Sequence, residues 1–369
     1  MLIFDHGGDR TGELLDFSAN ISPLGVPGPV RAALTELVAG EDLARYPDPA
    51  AWHLCRRVAI TEGIEPKLTL KPTFLEPEDY VVCGNGASDL IYRAVLAVRP
   101  KKALIVEPTF SDYRKALQLT GCDVASYPLT ADNAYDLTED FLRALTPDLD
   151  MVFLCAPNNP TGRNVPADLL EAVAKACAKN DTVLFWDASF LDFTADREGA
   201  RALTQRLVRK YENVLVLKSF TKLYALPGVR LGYLLSSDQK RLSAILTAGA
   251  PWSVSTVAQT AGVAALKCED YVAEVRELIA REKAEMIAGL EELGFAPAPS
   301  DSRRLYVPSD ANFLLLRTER ADLVAALEDR GIKVRDCRSF DGLDGNWIRV
   351  AVRSGTDNKK LLSALKGVL

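Results

Sequence analysis

The sequence predicts an α/β protein built on a mostly parallel sheet between helices, followed by a smaller α+β C-terminal domain. Short apolar runs alternate with amphipathic segments over much of the chain, the pattern of a doubly wound sheet. The runs are nearly continuous rather than alternating, as expected for strands covered on both faces. After about residue 256 the texture changes to a long helical stretch and then short mixed elements. With 369 residues and about 150 residues per domain as a guide, three segments result: an arm over 1–30, a large domain over 31–270 and a small domain over 271–369.

The arm holds several Gly and Pro and reads as extended. Apolar runs at 81–83, 103–106, 151–155, 182–186, 214–217 and 229–235 read as strands, with amphipathic helices at 167–179 and 200–211 among them. Residues 242–266 form a 25-residue stretch without a charge. Pro251, Gly249 and Gly262 make it a poor lipid-facing helix, so it reads as buried protein near a site or a subunit contact. One long helix is predicted from 256 towards 293, ended by Gly294. A strand at 311–316, a helix at 321–330 closed by Gly331 and a strand at 347–352 complete the small domain.

Composition removes several chemistries. Lys plus Arg number 44 against 50 Asp plus Glu, a net charge of −6 with no basic block, so nothing favours nucleic acid. Only two histidines and no CxxC pair leave little for a metal site or a Ser-His-Asp triad. Seven scattered cysteines in apolar runs read as buried free thiols of a reducing compartment. The start, MLIFDHGGDR, lacks the basic and apolar regions of a signal peptide. A cytoplasmic protein with no membrane span is expected.

Three loops carry chemistry. Cys83-Gly84-Asn85-Gly86-Ala87-Ser88 follows a strand and opens a helix, where small residues and free amides suit an anion. Ala156-Pro157-Asn158-Asn159-Pro160-Thr161-Gly162 follows the strand ending at Cys155, the end at which open α/β sheets bind ligands. Taken alone, the first loop reads as a simple turn, and a simple turn explains the second equally well. The third loop runs from Lys218-Ser219 through Lys222 to Arg230. A buried lysine beside cations has a depressed pKa and becomes a nucleophilic amine.

Together these loops resemble the fold-type I pyridoxal-5'-phosphate (PLP) enzymes of the aspartate aminotransferase superfamily, over nearly the whole chain. The resemblance implies a PLP cofactor carried by Lys222, with Asp187 on the ring nitrogen and Asn159 on the ring hydroxyl. Gly86, Ala87, Ser88, Ser219 and Arg230 would hold the cofactor phosphate and Phe110 would stack on the ring. Tyr46, in Arg45-Tyr46-Pro47, matches a tyrosine that reaches the phosphate from a neighbouring subunit, which implies a homodimer. His6-Gly7-Gly8, Asp16 to Gly25, Pro251-Trp252-Ser253-Val254 and the segments around Arg335 and Arg349 are similar to the L-threonine-O-3-phosphate decarboxylases of cobalamin biosynthesis. Histidinol-phosphate aminotransferases stand close to that family. They usually carry Tyr where this chain has Phe190, as the decarboxylases do, while Ala188 and Ser22 depart from the usual residues.

The implied substrate is a small phosphorylated amino acid, held by His6, Asn20, Arg335 and Arg349; the arginine fork suits phosphate or carboxylate. Amino transfer on histidinol phosphate and decarboxylation of L-serine phosphate are the alternatives. A transcriptional regulator on this fold would need a DNA-binding segment ahead of loops that begin too early here for one.

Overall fold

The computed structural model describes residues 7–9, 11–64 and 76–369. His6 lies outside the described residues. A two-residue strand β1 (Leu15–Asp16) is followed by helices α1 (Gly28–Ala39) and α2 (Trp52–Glu62). The large domain then alternates: β2 (Val81–Gly84), α3 (Ala87–Val98), β3 (Lys102–Glu107), α4 (Asp112–Leu119), β4 (Asp123–Pro128), β5 (Met151–Cys155) and α5 (Ala167–Lys179). It continues with β6 (Val183–Asp187), α6 (Arg197–Lys210), β7 (Val214–Ser219), α7 (Phe220–Leu223), β8 (Gly232–Leu235), α8 (Gln239–Thr247) and α9 (Thr256–Ala265).

Seven strands form one sheet in the order β2-β8-β7-β6-β5-β3-β4. β8 runs antiparallel to both of its neighbours, and the other pairings are parallel. The period of two along each strand explains why both faces are apolar. Met151, Phe153 and Cys155 pack with Leu90 of α3, Tyr113 of α4 and Leu242 of α8, while Val152 and Leu154 pack with Val173 of α5 and Leu207 of α6. Each buried Val, Leu or Phe of this kind stabilises the fold by about 1.5–3 kcal/mol relative to exposure.

The small domain begins with α10 (Glu269–Glu292) and continues with β9 (Ala296–Pro297), β10 (Leu305–Val307), β11 (Phe313–Arg317), α11 (Leu323–Glu328) and β12 (Ile332–Lys333). β13 (Arg335–Asp336), β14 (Trp347–Ala351) and α12 (Gly355–Lys366) complete it. Its sheet runs β13-β14-β11-β10-β9. Leu314, Leu316, Ile348 and Val350 of that sheet bury against Met286 and Leu290 of α10 and Leu361 and Leu365 of α12.

Several expectations change. The long helix at 256–293 is two helices separated by Leu266, Lys267 and Cys268. The break lets the small-residue face of α9 seat on α2, where a Cβ on Gly262 would stand 2.7 Å from Leu54 Cδ1. The strand expected from 229 starts at Gly232, because Pro227–Val229 form a 3₁₀ turn and Arg230 adopts φ +58°. Helix α6 starts early, at Arg197, since Asp196 caps it by accepting from the Gly199 amide. The uncharged stretch 242–266 is not uniformly buried, as Trp252 is 47% exposed.

The arm is not simply extended. β1 pairs in parallel with β12, and α1 begins at Gly28. All seven cysteines are buried thiols, none joined in a disulfide. Among the described residues no helix is long and apolar enough to cross a membrane.

Candidate active site

The carboxyl ends of β3, β5, β6 and β7 meet at one pocket of about 330 Å³. Asp187 ends β6 and Ser219 ends β7. Ser219 turns the chain into α7 by accepting from the Thr221 amide, which presents Lys222 one short turn later. Lys222 Nζ stands 3.4 Å from Ser219 Oγ and 5.7 Å from the centroid of Phe190. Opposite, α3 opens at Ala87 without a side-chain cap, leaving first-turn amides for an anion. Gly86 makes this entry possible: its φ is +88°, and a Cβ there would meet Arg230 Nη2 at 2.5 Å.

The amine of Lys222 holds its proton less tightly than an ordinary lysine. Burial is the main cause, and Arg230 and Arg349 act in the same direction while Asp187 opposes them. Burial likewise pulls Arg349 down to about 10, helped by Arg335. Arg335 and Arg349 are cross-strand partners on β13 and β14, 8% and 6% exposed. Arg349 donates to Asn159 Oδ1 and to the Ser18 carbonyl, the latter at 2.7 Å, and its Nε is buried without a partner. Arg335 donates to Ser339 Oγ at 2.7 Å and lies 5.2 Å from the Phe340 ring centroid. Asn20 is buried in the pocket wall with Oδ1 unpartnered.

Most residues singled out from the sequence thus meet. Ala87, Ser88, Phe110, Asn159, Asp187, Ser219, Lys222, Arg230, Asn20, Arg335 and Arg349 line the pocket, with Gly86 just behind Arg230. Tyr46 does not join them. It is 80% exposed, and its ring lies 4.8 Å from that of Trp252.

Residues 12–368 match the family described as aminotransferase class I and II. The chain belongs to that family. Class I and II aminotransferase relatives are PLP-dependent enzymes. The chain is 36% identical to the threonine-phosphate decarboxylase of Salmonella typhimurium over 97% of its own length and 92% of that protein. The solved histidinol-phosphate aminotransferase of Clostridium acetobutylicum superposes with a TM-score of 0.84 at 27% identity, covering 96% of this chain and 99% of that one. A histidinol-phosphate aminotransferase of Sinorhizobium meliloti, solved in complex with PLP, shares the fold with a TM-score of 0.76 at 22% identity, covering 95% and 89%.

Within this family fold, sequence reasoning missed several pocket residues. Tyr113 donates to Asp187 Oδ2 at 2.6 Å, Ser189 donates its amide to Asp187 Oδ1 at 2.9 Å, and Phe340 lies under Arg335. Tyr113 stands three residues after Phe110, close enough for a helix start to carry both to one place. Ser189 and Phe340 sit in turns, where no periodicity marks them.

Proposed function

We propose that this chain is a PLP-dependent decarboxylase of L-threonine O-3-phosphate, giving (R)-1-amino-2-propanol O-2-phosphate for the cobalamin nucleotide loop. The observation that carries the reading is the meeting of three cationic side chains in one pocket: the buried guanidiniums of Arg335 and Arg349, face to face across two strands, beside Lys222. Like charges directly opposite one another are unfavourable in a sheet. An anionic substrate bearing both phosphate and carboxylate offsets that repulsion.

The pocket's chemistry fits PLP. It has a buried amine of lowered proton affinity, a carboxylate at a strand end, uncapped helix amides beside Arg230, and the ring of Phe110. Lys222 would hold the cofactor, Asp187 its ring nitrogen, and Asn159 its ring hydroxyl. Gly86, Ala87, Ser88, Ser219 and Arg230 would hold its phosphate, with Phe110 on the ring face. Bound there, PLP supplies an electron sink for the pair released at the substrate α-carbon.

The protein's own groups then divide the work. Arg335, Arg349 and Asn20 grip the substrate's anionic groups and fix which bond at the α-carbon faces the sink. Lys222 Nζ, neutral in a larger fraction than an ordinary lysine, accepts a proton when the substrate amine arrives and returns one to the α-carbon after carbon dioxide leaves. Phe190 gives this side of the pocket an apolar wall, backed by the buried Phe313 with ring centroids 5.0 Å apart. The identity to the Salmonella decarboxylase favours loss of carbon dioxide over amino transfer.

Tyr46 and Trp252, an exposed aromatic pair, are assigned to the face of a second copy, with Tyr46 reaching that copy's cofactor phosphate. Domain limits near residues 30 and 270 belong to the same reading, with a cytoplasmic location.

The test is carbon dioxide release from L-threonine O-3-phosphate by the PLP-loaded protein, beside L-serine phosphate. A parallel reaction holds histidinol phosphate with 2-oxoglutarate and is read for glutamate. Carbon dioxide without glutamate is expected. Glutamate without carbon dioxide would replace the decarboxylase with the aminotransferase.

A further inference from the structure

We propose that Tyr113 is a positioning residue that acts on the cofactor's ring nitrogen through Asp187; the inference rests on the PLP reading above. Tyr113 is fully buried in the first turn of α4. Its hydroxyl donates to Asp187 Oδ2 at 2.6 Å, a length typical of a hydroxyl on a charged carboxylate. The Ser189 amide holds the other oxygen at 2.9 Å. Both carboxylate oxygens are therefore fixed, and turning the carboxyl group about its own axis breaks both bonds.

A buried tyrosine needs some partner for its hydroxyl, and a backbone carbonyl would suffice for packing alone. Here the partner is the carboxylate that ends β6 at the pocket. The hydroxyl is also committed to donating, because burial, and then the charge of Asp187, push its pKa well above the usual tyrosine value. The ring is held as firmly as the hydroxyl. It stacks on Phe153 with centroids 5.0 Å apart and meets Phe110 edge-on at 5.7 Å.

The same segment serves two further groups of the site. Asp112 accepts from Ser88 Oγ at 2.9 Å in the anion loop, and Phe110 lines the pocket. Three neighbouring positions on one helix start thus set the ring face, the phosphate loop and the ring-nitrogen carboxylate together. Displacements well under an ångström at such a carboxylate alter how strongly it meets its ligand.

Equilibrium binding tests this without catalysis. Apoprotein is titrated with PLP and with the analogue in which CH replaces the ring nitrogen, for wild type, Tyr113→Phe, Asp187→Asn and the double variant. Wild type is expected to prefer PLP. Tyr113→Phe should lower that preference about tenfold, the scale of one hydrogen bond to a charged group, and leave the analogue's affinity unchanged. In the Asp187→Asn background, Tyr113→Phe should have no further effect on the preference.

Equal weakening of both ligands, or an unchanged preference, would reduce Tyr113 to a packing role and overturn the proposal. Should Tyr113→Phe fail to fold, Tyr113→Leu, which is smaller than the buried ring and has no side-chain donor, takes its place under the same criteria. Borohydride trapping of PLP on Lys222 separates the two readings. A wild-type protein that traps none overturns the cofactor reading and this inference together. One that traps PLP but shows no change in preference in the variant overturns the inference alone.

Discussion

The backbone amide of Ser22 donates to the carbonyl of Lys222 at 2.9 Å. Through that bond the N-terminal segment holds the turn that carries the Lys222 amine. The same segment meets the small domain: Arg349 donates to the Ser18 carbonyl at 2.7 Å and Asn312 to the Asn20 carbonyl at 3.2 Å. Residues 18–22 therefore stitch Lys222 to the strand bearing Arg349.

Comparing Ser22→Pro with Ser22→Ala tests this stitch. Ser22→Pro lacks the N–H and leaves the Lys222 carbonyl the longer bond from the Ala225 amide at 3.4 Å, a loss of about 0.5–1.5 kcal/mol. Turnover per active site is expected to fall about fivefold on that scale. Ser22→Ala keeps the amide and loses only the hydroxyl bonded by Tyr271 at 3.0 Å, so it should stay near wild type. Steady-state kinetics of the two variants decide; equal activity would disprove a role for the amide.

Charge neighbours should move the titration of Lys222 in opposite senses. Arg349 lowers its proton affinity and Asp187 raises it, so Arg349→Met shifts the midpoint up and Asp187→Asn shifts it down. Reductive ¹³C-methylation of the apoprotein followed by NMR titration reads both directly. The sign for stability follows from the same depression. The native state binds the Lys222 proton less tightly than the unfolded chain, whose lysine titrates near 10.5. This site's contribution to stability therefore rises with pH from the depressed native value up to about the unfolded one.

Lys218 and Glu62 form a buried ion pair at 3.0 Å, with Asp192 at 3.4 Å from the lysine and the Tyr233 hydroxyl donating to Glu62 at 2.6 Å. Lys218→Met strands a buried carboxylate beside Asp192 and should cost about 3–5 kcal/mol in urea unfolding. Adding Glu62→Gln to it should recover part of that loss. A double variant no better than the single would assign the loss to packing.

Gly86→Ala places a methyl group 2.5 Å from Arg230 Nη2 at a φ of +88°. The strain is about 1–3 kcal/mol, and Arg230 must move from the helix start. PLP affinity, followed by fluorescence titration, is expected to fall at least tenfold on that scale. Unchanged affinity would remove Arg230 and this loop from the phosphate site.

Much of the site was legible because its residues sit at strand ends or helix starts. Asp187, Ser219 and Asn159 each follow a continuous apolar run, so their place at the carboxyl edge of the sheet followed from the pattern. Strand β4 was missed because its burial is mixed and it lies at the sheet edge, where continuous apolarity is not required. The break between α9 and α10 was missed because no Gly or Pro marks it.

The sequence by itself determined the alternating architecture and placed Asn159, Asp187, Ser219 and Lys222 just after strand ends, since each is written in local pattern and spacing; the cofactor roles expected for them rest on the resemblance to PLP enzymes. The tertiary structure alone decided that Arg335 faces Arg349, that Tyr113 holds Asp187 across 74 residues, and that Ser22 bonds Lys222. Strand register and chain crossing decide such pairs, and both depend on contacts between segments far apart in the chain. No local propensity encodes them.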